Sequence, residues 1–229
     1  MEWTEFLLRW IHFLAGITWI GVLYYFNFIQ TPFFATELGG TAKSAMVRGL
    51  VPNALWWFRW GAMFTFLSGV AILLLKLGHG TPLSSGYMTR ILTGALFGTL
   101  MWANVWFVIW PAQRVVIENA NRVAGGGAAD PTAAGRGARA GMASRTNTLF
   151  SIPMLFFMGA ASHLPSVTGE GGVAGYWIIV LAVVGALEWI GALQTPGASS
   201  QKMLTTVSGT IHAGLATTVV VALLHMVLT

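Results

Sequence analysis

Six stretches of this sequence are apolar over roughly 20 residues each, the length that an α-helix needs to cross about 30 Å of hydrocarbon. Only 8% of the residues are charged, far fewer than a water-soluble domain uses to cover its surface. The bulk of the chain is therefore expected to face lipid. The sequence predicts an all-α integral membrane bundle of about six transmembrane helices, with spans at 6–29, 54–77, 89–110, 146–163, 173–193 and 203–228.

The fourth stretch differs from the others because it is short and partly polar. Asn147 and Ser151 lie within it, and Pro153 is near its middle. A proline removes one main-chain hydrogen bond from a helix, and neighbouring helices must satisfy the freed group inside a membrane. We therefore expect this helix to be kinked against its neighbours rather than exposed to lipid.

The distribution of Lys and Arg predicts the orientation, because cytoplasmic loops carry an excess of these residues. Nine of the twelve basic residues fall in or beside the loops that follow the first, third and fifth spans. They are Lys43, Arg48, Arg59, Arg114, Arg122, Arg136, Arg139, Arg145 and Lys202. Both termini are therefore predicted to be periplasmic, in a multi-pass protein of a bacterial inner (cytoplasmic) membrane.

The segment 124–141 contains only Gly, Ala, Arg, Asp, Pro and Thr, which favours a flexible cytoplasmic loop within one membrane domain, 1–229. The formal charge is +5, but the basic residues are spread over short loops and form no groove interleaved with aromatic residues. The lipid bilayer is thus a predicted partner, and nucleic acid is not.

The sequence contains no cysteine, so any haem or metal must be bound by His, Met or carboxylates. His12 shares a helical face with Arg9, and His212 lies near the middle of the last span. His225 is 13 residues further along and about 140° around the helix axis, so it faces a different neighbour from His212. Two hypotheses stay open for His12 and His212: ligation of a b-type haem iron, or hydrogen bonds to a carbonyl or a threonine on the next helix.

Other polar and small residues in the spans each have two interpretations. Glu188 lies near the cytoplasmic end of the fifth span, where a carboxyl serves proton uptake or simply ends a helix at the interface. Gly94 and Gly98 form a G-x-x-x-G pattern in the third span. Close helix packing is the better interpretation of that pattern.

Three blocks of sequence combine Trp, Asn, Arg and His with small residues inside the predicted spans. They are 9–21 (RWIHFLAGITWIG), 98–114 (GTLMWANVWFVIWPAQR) and 147–165 (NTLFSIPMLFFMGAASHLP). These blocks resemble the membrane domain of the PuuD-type urate oxidases, and the second resembles the most characteristic stretch of that family. The resemblance covers the first five predicted helices.

This resemblance implies an oxidoreductase domain that oxidises urate and passes electrons to a cytochrome c domain at the periplasmic C-terminus. A site of that family would use Arg9, His12, Asn104, Arg114, Asn147 and His163. The present chain carries Thr146 where the family has a histidine before its Asn, and we expect it to be a short form that lacks the cytochrome c domain. The scaffold and a redox role are therefore expected, rather than urate oxidation itself.

Two functional hypotheses follow. The first is a membrane electron-transfer protein, an oxidoreductase that binds haem b through His12 and His212 and exchanges electrons with a periplasmic cytochrome c or a quinone. The second is a non-catalytic accessory subunit that packs in a respiratory or other membrane complex. A transporter ranks below both, because the sequence has neither inverted repeats nor paired broken helices.

Overall fold

A computed structural model of the protein describes residues 2–164 and 172–229, and this part of the chain is helical throughout, without strands. Three helices contain a π-helical turn. The elements are α1 (Glu2–Tyr24), π1 (Tyr25–Gln30), α2 (Thr31–Phe34), α3 (Glu37–Gly78), α4 (Gly86–Ala103), π2 (Asn104–Ile109), α5 (Trp110–Ala124), α6 (Ala133–His163), α7 (Val173–Glu188), π3 (Trp189–Leu193), a 3₁₀ turn (Ser199–Leu204) and α8 (Val207–Leu228).

Five of these described helices are long and apolar enough to cross a membrane. Large apolar side chains such as Ile17, Ile178 and Val227 are exposed on them, as expected for a surface that contacts lipid. The chain is thus a multi-pass helical membrane protein. The predicted fourth span is not among the five, because α6 also contains Arg, Ser, Thr and Asn, which lower its mean hydropathy.

α6 lies at the centre of the bundle. All six consecutive residues from 146 to 151 are buried, and six consecutive positions cover every side of a helix. Gly214 of α8 approaches so closely that a Cβ there would lie 2.8 Å from the carbonyl oxygen of Leu149. Gly94 and Gly98 of α4 contact Met158 and Met154 in the same way, as the G-x-x-x-G pattern predicts. The polar part of the fourth stretch, 146–151, is therefore enclosed by other helices, whereas Leu155 and Phe156 further along are exposed.

α1 and α3 form an antiparallel pair beside this centre. Glu5 contacts Lys76 near one end of the pair. Further along, Gly61 lies against Trp19, and a Cβ on the glycine would be 3.1 Å from the main-chain nitrogen of Trp19. Because glycine has no Cβ, the two backbones can approach this closely.

Two ends of the bundle can be distinguished. Gly172, directly before α7, contacts Leu228 at the end of α8, and Arg90 of α4 donates to the carbonyl of Leu164 at 2.8 Å. With the contact of Glu5 and Lys76, these contacts place both chain termini at one end, here called the terminal end. The opposite end, here called the basic end, carries the nine basic residues named above and Glu37.

Segments predicted as cytoplasmic loops are largely helical. α3 has 42 residues and is about 63 Å long, so it extends well beyond a 30 Å hydrocarbon layer. α5 packs beside its basic end and α6 packs on α5, and Val47, Val51 and Ala112 are buried in this region. The predicted spans 54–77 and 89–110 are thus parts of longer helices.

The predicted flexible loop 124–141 is also shorter than the sequence suggests, because α6 begins at Ala133. Alanine favours helix strongly, and Ala133 and Ala140 are buried. The intervening turn is held by Asp130, whose carboxylate accepts from the hydroxyl and the main-chain N–H of Thr132, and these bonds lower the pKa of Asp130.

Two of the π-helical turns end just before a proline, namely Pro32 after π1 and Pro111 after π2. A proline ring clashes with the carbonyl four residues earlier, and widening the helix by one residue relieves that clash. The chain therefore crosses from the membrane part of each helix to its basic-end extension through a π turn.

Candidate functional site

Three buried polar side chains meet where α4, α6 and α7 come together. Asn104 Nδ2 donates to Asn147 Oδ1 at 3.0 Å and to Glu188 Oε2 at 3.1 Å. Asn147 Nδ2 donates in turn to the main-chain oxygen of Met101 at 2.9 Å. All three side chains are buried. We refer to Asn104, Asn147 and Glu188 as the amide–carboxyl cluster.

Local backbone geometry positions each member of the cluster. Asn104 is the first residue of π2, and Glu188 is the last residue of α7, directly before π3. π turns inside α-helices occur frequently at functional sites. Gly191 in π3 packs so tightly on the Thr146 side chain that no Cβ would fit there, which brings the end of α7 against α6 beside Asn147.

Glu188 is the ionisable member of the cluster and is only 9% exposed. Among the described residues, no Lys, Arg or His lies within ion-pair distance of its carboxyl. Burying a carboxylate without a cation is costly, whereas a hydrogen-bonded carboxyl can remain in a protein interior. The geometry therefore suits a carboxyl that accepts and releases a proton.

Two of the predicted site residues, Arg9 and His12, lie towards the terminal end, on α1. Arg9 donates to Glu5 Oε1 at 2.7 Å, and Lys76 binds the same oxygen at 2.9 Å. The half-buried His12 has its Nδ1 3.1 Å from Ser68 Oγ. The structure thus brings Arg9 and His12 near α3, apart from the amide–carboxyl cluster.

Three further predicted residues are exposed. Arg114 forms a surface ion pair of 3.6 Å with Glu118 on α5, where both side chains are more than 60% exposed. His163, at the end of α6, has its Nδ1 2.9 Å from the carbonyl of Gly159. His212 is exposed on α8. Of the six residues that the resemblance selects, only Asn104 and Asn147 are in contact.

A haem iron takes axial ligands on the two faces of one porphyrin, so two ligating histidines must reach a common position. α1, with His12, packs mainly on α3, whereas α8, with His212, packs mainly on α6 and α7. These two histidines therefore do not fit a shared haem position within one chain. No group of three or more His, Asp or Glu in the described ranges is arranged for a metal ion either.

A second buried polar group lies at the terminal end, around His225. His225 is buried, and its ring lies edge-on to Tyr176 with centroids 5.5 Å apart. Tyr176 Oη is 2.7 Å from Thr93 Oγ1 on α4. This group and the amide–carboxyl cluster are at opposite ends of the same face of α7.

Comparison with known proteins adds one decisive observation. A family model described as Urate oxidase N-terminal matches residues 79–224, more than half of the chain. This protein belongs to the urate oxidase N-terminal family. The matched residues contain the whole amide–carboxyl cluster, whereas Arg9 and His12 precede them. No curated protein and no solved structure matches the chain significantly.

Within this family framework, Glu188 is the member of the site that sequence reasoning did not place. The sequence offered proton uptake or a helix end at the interface as interpretations of Glu188, but not its contact with Asn104, 84 residues earlier in the chain. One signal could have found it: Tyr176, Val180, Val184 and Glu188 are spaced four residues apart on α7 and form its buried face.

Proposed function

We propose that this member of the urate oxidase N-terminal family is a redox domain of a bacterial inner membrane. It exchanges electrons with a periplasmic cytochrome c or with a quinone. In this proposal the amide–carboxyl cluster is its polar centre, and six helices cross the membrane, α6 included, with both termini periplasmic.

The observation that carries the proposal is the hydrogen bond from Asn104 to Glu188. It places a carboxyl beside the two asparagines that the family resemblance selects. Oxidation of a quinol or of a urate-like purine releases protons along with electrons, and a positioned carboxyl can take up such a proton. An interior site that combines a carboxyl with two oriented amides supplies the binding and proton-accepting groups for this chemistry.

Basic residues support the orientation. The basic end carries most of the Lys and Arg, and by the positive-inside rule this distribution favours a cytoplasmic location for that end. Because both termini lie at the opposite end, they would face the periplasm, where a cytochrome c could dock.

The proposal is tested by electron transfer in detergent-purified protein. Reduction of added cytochrome c is measured with a short-chain quinol or with urate as electron donor, in wild type, in Glu188→Gln and in Glu37→Gln. Glu37 is an exposed carboxyl at the start of α3 and serves as the matched control. We expect turnover in wild type and Glu37→Gln and loss of turnover in Glu188→Gln. Failure of both donors in wild type would overturn the proposal.

Haem b bound by His12 and His212 stays a prediction, and the poor fit within one chain means that no step is assigned to it. A reduced-minus-oxidised visible spectrum of wild type, His12→Ala and His212→Ala tests it directly. Stoichiometric haem that is lost in either variant would support ligation, for example between two copies of the chain. A colourless wild-type protein would refute it.

The accessory-subunit hypothesis is favoured by one observation. Arg114 and His163 are exposed, and Arg9 and His12 lie apart from the asparagines, so the predicted catalytic residues do not converge. In this alternative the scaffold serves packing in a complex. Co-purification with other membrane subunits, together with absent turnover in the isolated chain, would favour this alternative.

A further inference from the structure

We propose that Glu188 is a proton-binding site that exchanges protons with the basic end of the bundle alone. The role of this site rests on the proposed redox function, but proton binding at Glu188 can be tested without any electron donor. The carboxylate takes a proton from water at the basic end to become the neutral acid, and it returns that proton to water or to a reacting molecule beside Asn104.

The immediate surroundings of Glu188 suit this role. Its Oε2 accepts from the Asn104 amide, and Asn104 is held in turn by Asn147. Arg90 of α4 and His225 of α8 are buried titratable groups on the helices packed against α7, and both lie at the far, terminal end. Arg145 of α6, two residues before Asn147, is a half-buried cation at the basic end, and no ion pair joins it to Glu188 in the described part of the chain. Glu188 is therefore the titratable group of this α7 face at the basic end.

The path from Glu188 towards the terminal end is closed by apolar packing. Val180 and Val184, the next two residues on the buried face of α7, are fully enclosed. Phe97 of α4 and Phe150 of α6 pack in the same core with ring centroids 5.3 Å apart. Tyr176 is about 18 Å from Glu188 along the helix. Proton transfer needs a continuous chain of water or polar groups, and the apolar side chains named here offer none. The buried hydroxyls of Thr148 and Ser151 on α6 donate to main-chain carbonyls of their own helix.

The path towards the basic end is short and polar. π3 ends five residues after Glu188, and the buried Gln201 donates to the carbonyl of Ile190 at 2.8 Å. Gln201 also accepts from the main-chain N–H of Gly197 at 2.9 Å. An open cavity of about 390 Å³, lined in part by Thr195, Arg136 and Arg139, lies beside this turn. Thr195 in its lining is seven residues after Glu188 along the chain.

Carbodiimide labelling tests both parts of the proposal on the full-length chain in membranes. Dicyclohexylcarbodiimide is apolar and modifies protonated carboxyls in apolar surroundings, so we expect one adduct on Glu188 and none on exposed Glu37. A permanently charged, membrane-impermeant carbodiimide is then added to either face of oriented vesicles. We expect Glu188 to be modified only from the face that modifies Glu37, and not from the face that modifies Glu5.

Peptide mass spectrometry reads each carboxyl separately, and Glu188→Gln, which keeps an acceptor for Asn104, confirms the assigned peptide. Absence of any adduct on Glu188 at every pH tested would overturn the proton site. Modification from the Glu5 face would overturn one-sided access. If Glu188 is modified but neither donor reduces cytochrome c, the proton site stands and the redox function fails. If a donor reduces cytochrome c but Glu188 is never modified, the redox function stands and the proton site fails.

Discussion

Asn147 on α6 donates a hydrogen bond to the main-chain carbonyl of Met101 on α4 at 2.9 Å, in the last turn before the helix widens into π2. The same side chain accepts from Asn104. One amide therefore joins the central helix both to a helix backbone and to the candidate site. Damage to this amide should affect stability and function together.

Asn147→Ala should lower the free energy of unfolding by about 1–3 kcal/mol, because it removes two buried hydrogen bonds, one from Asn104 and one to the Met101 carbonyl. Thermal unfolding in detergent measures the change. Asn53→Ala is the matched control, since Asn53 is exposed and bonds only its own helix at 3.4 Å. A change within about 0.5 kcal/mol is expected there. Equal losses of unfolding free energy in the two variants would contradict the assigned role of Asn147.

Gly214→Ala should also destabilise the protein, because the added Cβ would lie 2.8 Å from the Leu149 carbonyl and 2.6 Å from Ile152. A clash with backbone cannot be relieved by rotating a side chain, and overpacking of this kind costs about 1–3 kcal/mol. Gly185→Ala on α7 meets nothing within 4 Å and should be neutral or stabilising, since alanine favours helix. Denaturation of both variants under one detergent condition compares them, and an unaffected Gly214→Ala would show that α6 and α8 are further apart.

Arg59 should couple energetically to Trp110. The guanidinium carbon lies 3.4 Å from the Trp110 ring centroid, which joins α3 to α5 at the basic end. A double-mutant cycle with Arg59→Ala and Trp110→Leu should give a coupling of about 0.5–2 kcal/mol in unfolding free energy. The more distant pair of Lys43 and Phe34, at 5.9 Å, is the control and should couple less. Zero coupling in the first cycle would exclude a stabilising contact.

Single cysteines should report the orientation, because the chain has none of its own. Ser84 lies in the exposed turn before α4 at the terminal end, and Ala128 lies in the exposed turn between α5 and α6. A membrane-impermeant maleimide should modify Ser84→Cys in intact spheroplasts and Ala128→Cys only after the membrane is opened. The reverse pattern would invert the orientation, and labelling of both from one side would contradict the bundle.

The sequence predicts the helical membrane class well because hydrocarbon thickness imposes one length on every span. It also predicts that the polar fourth stretch is shielded, since Asn147 and Ser151 need partners away from lipid. The long extensions of α3 and α5 escape prediction because basic residues and glycines are typical of loops as well as of exposed helices. The contacts of Glu188 could not be predicted because its partners come from distant parts of the chain. The resemblance identified Asn104 and Asn147 but not this carboxyl.

The π turn at 104–109 has a consequence for the length of this chain. A π turn holds one residue more than the α turn it replaces, and one residue corresponds to about 100° of rotation around a helix. The side chains before π2 and those after it are therefore out of phase, so one continuous helix presents different faces to the membrane core and to the basic-end helices. Deleting a single residue within 105–109 would replace the π turn with an unbroken α-helix, because the π turn is what accommodates the extra residue, and α5 with its buried residue Ala112 would keep its orientation. Relatives that share this bundle should accordingly tolerate one residue fewer between Asn104 and Pro111, with a plain α-helix in place of the π turn.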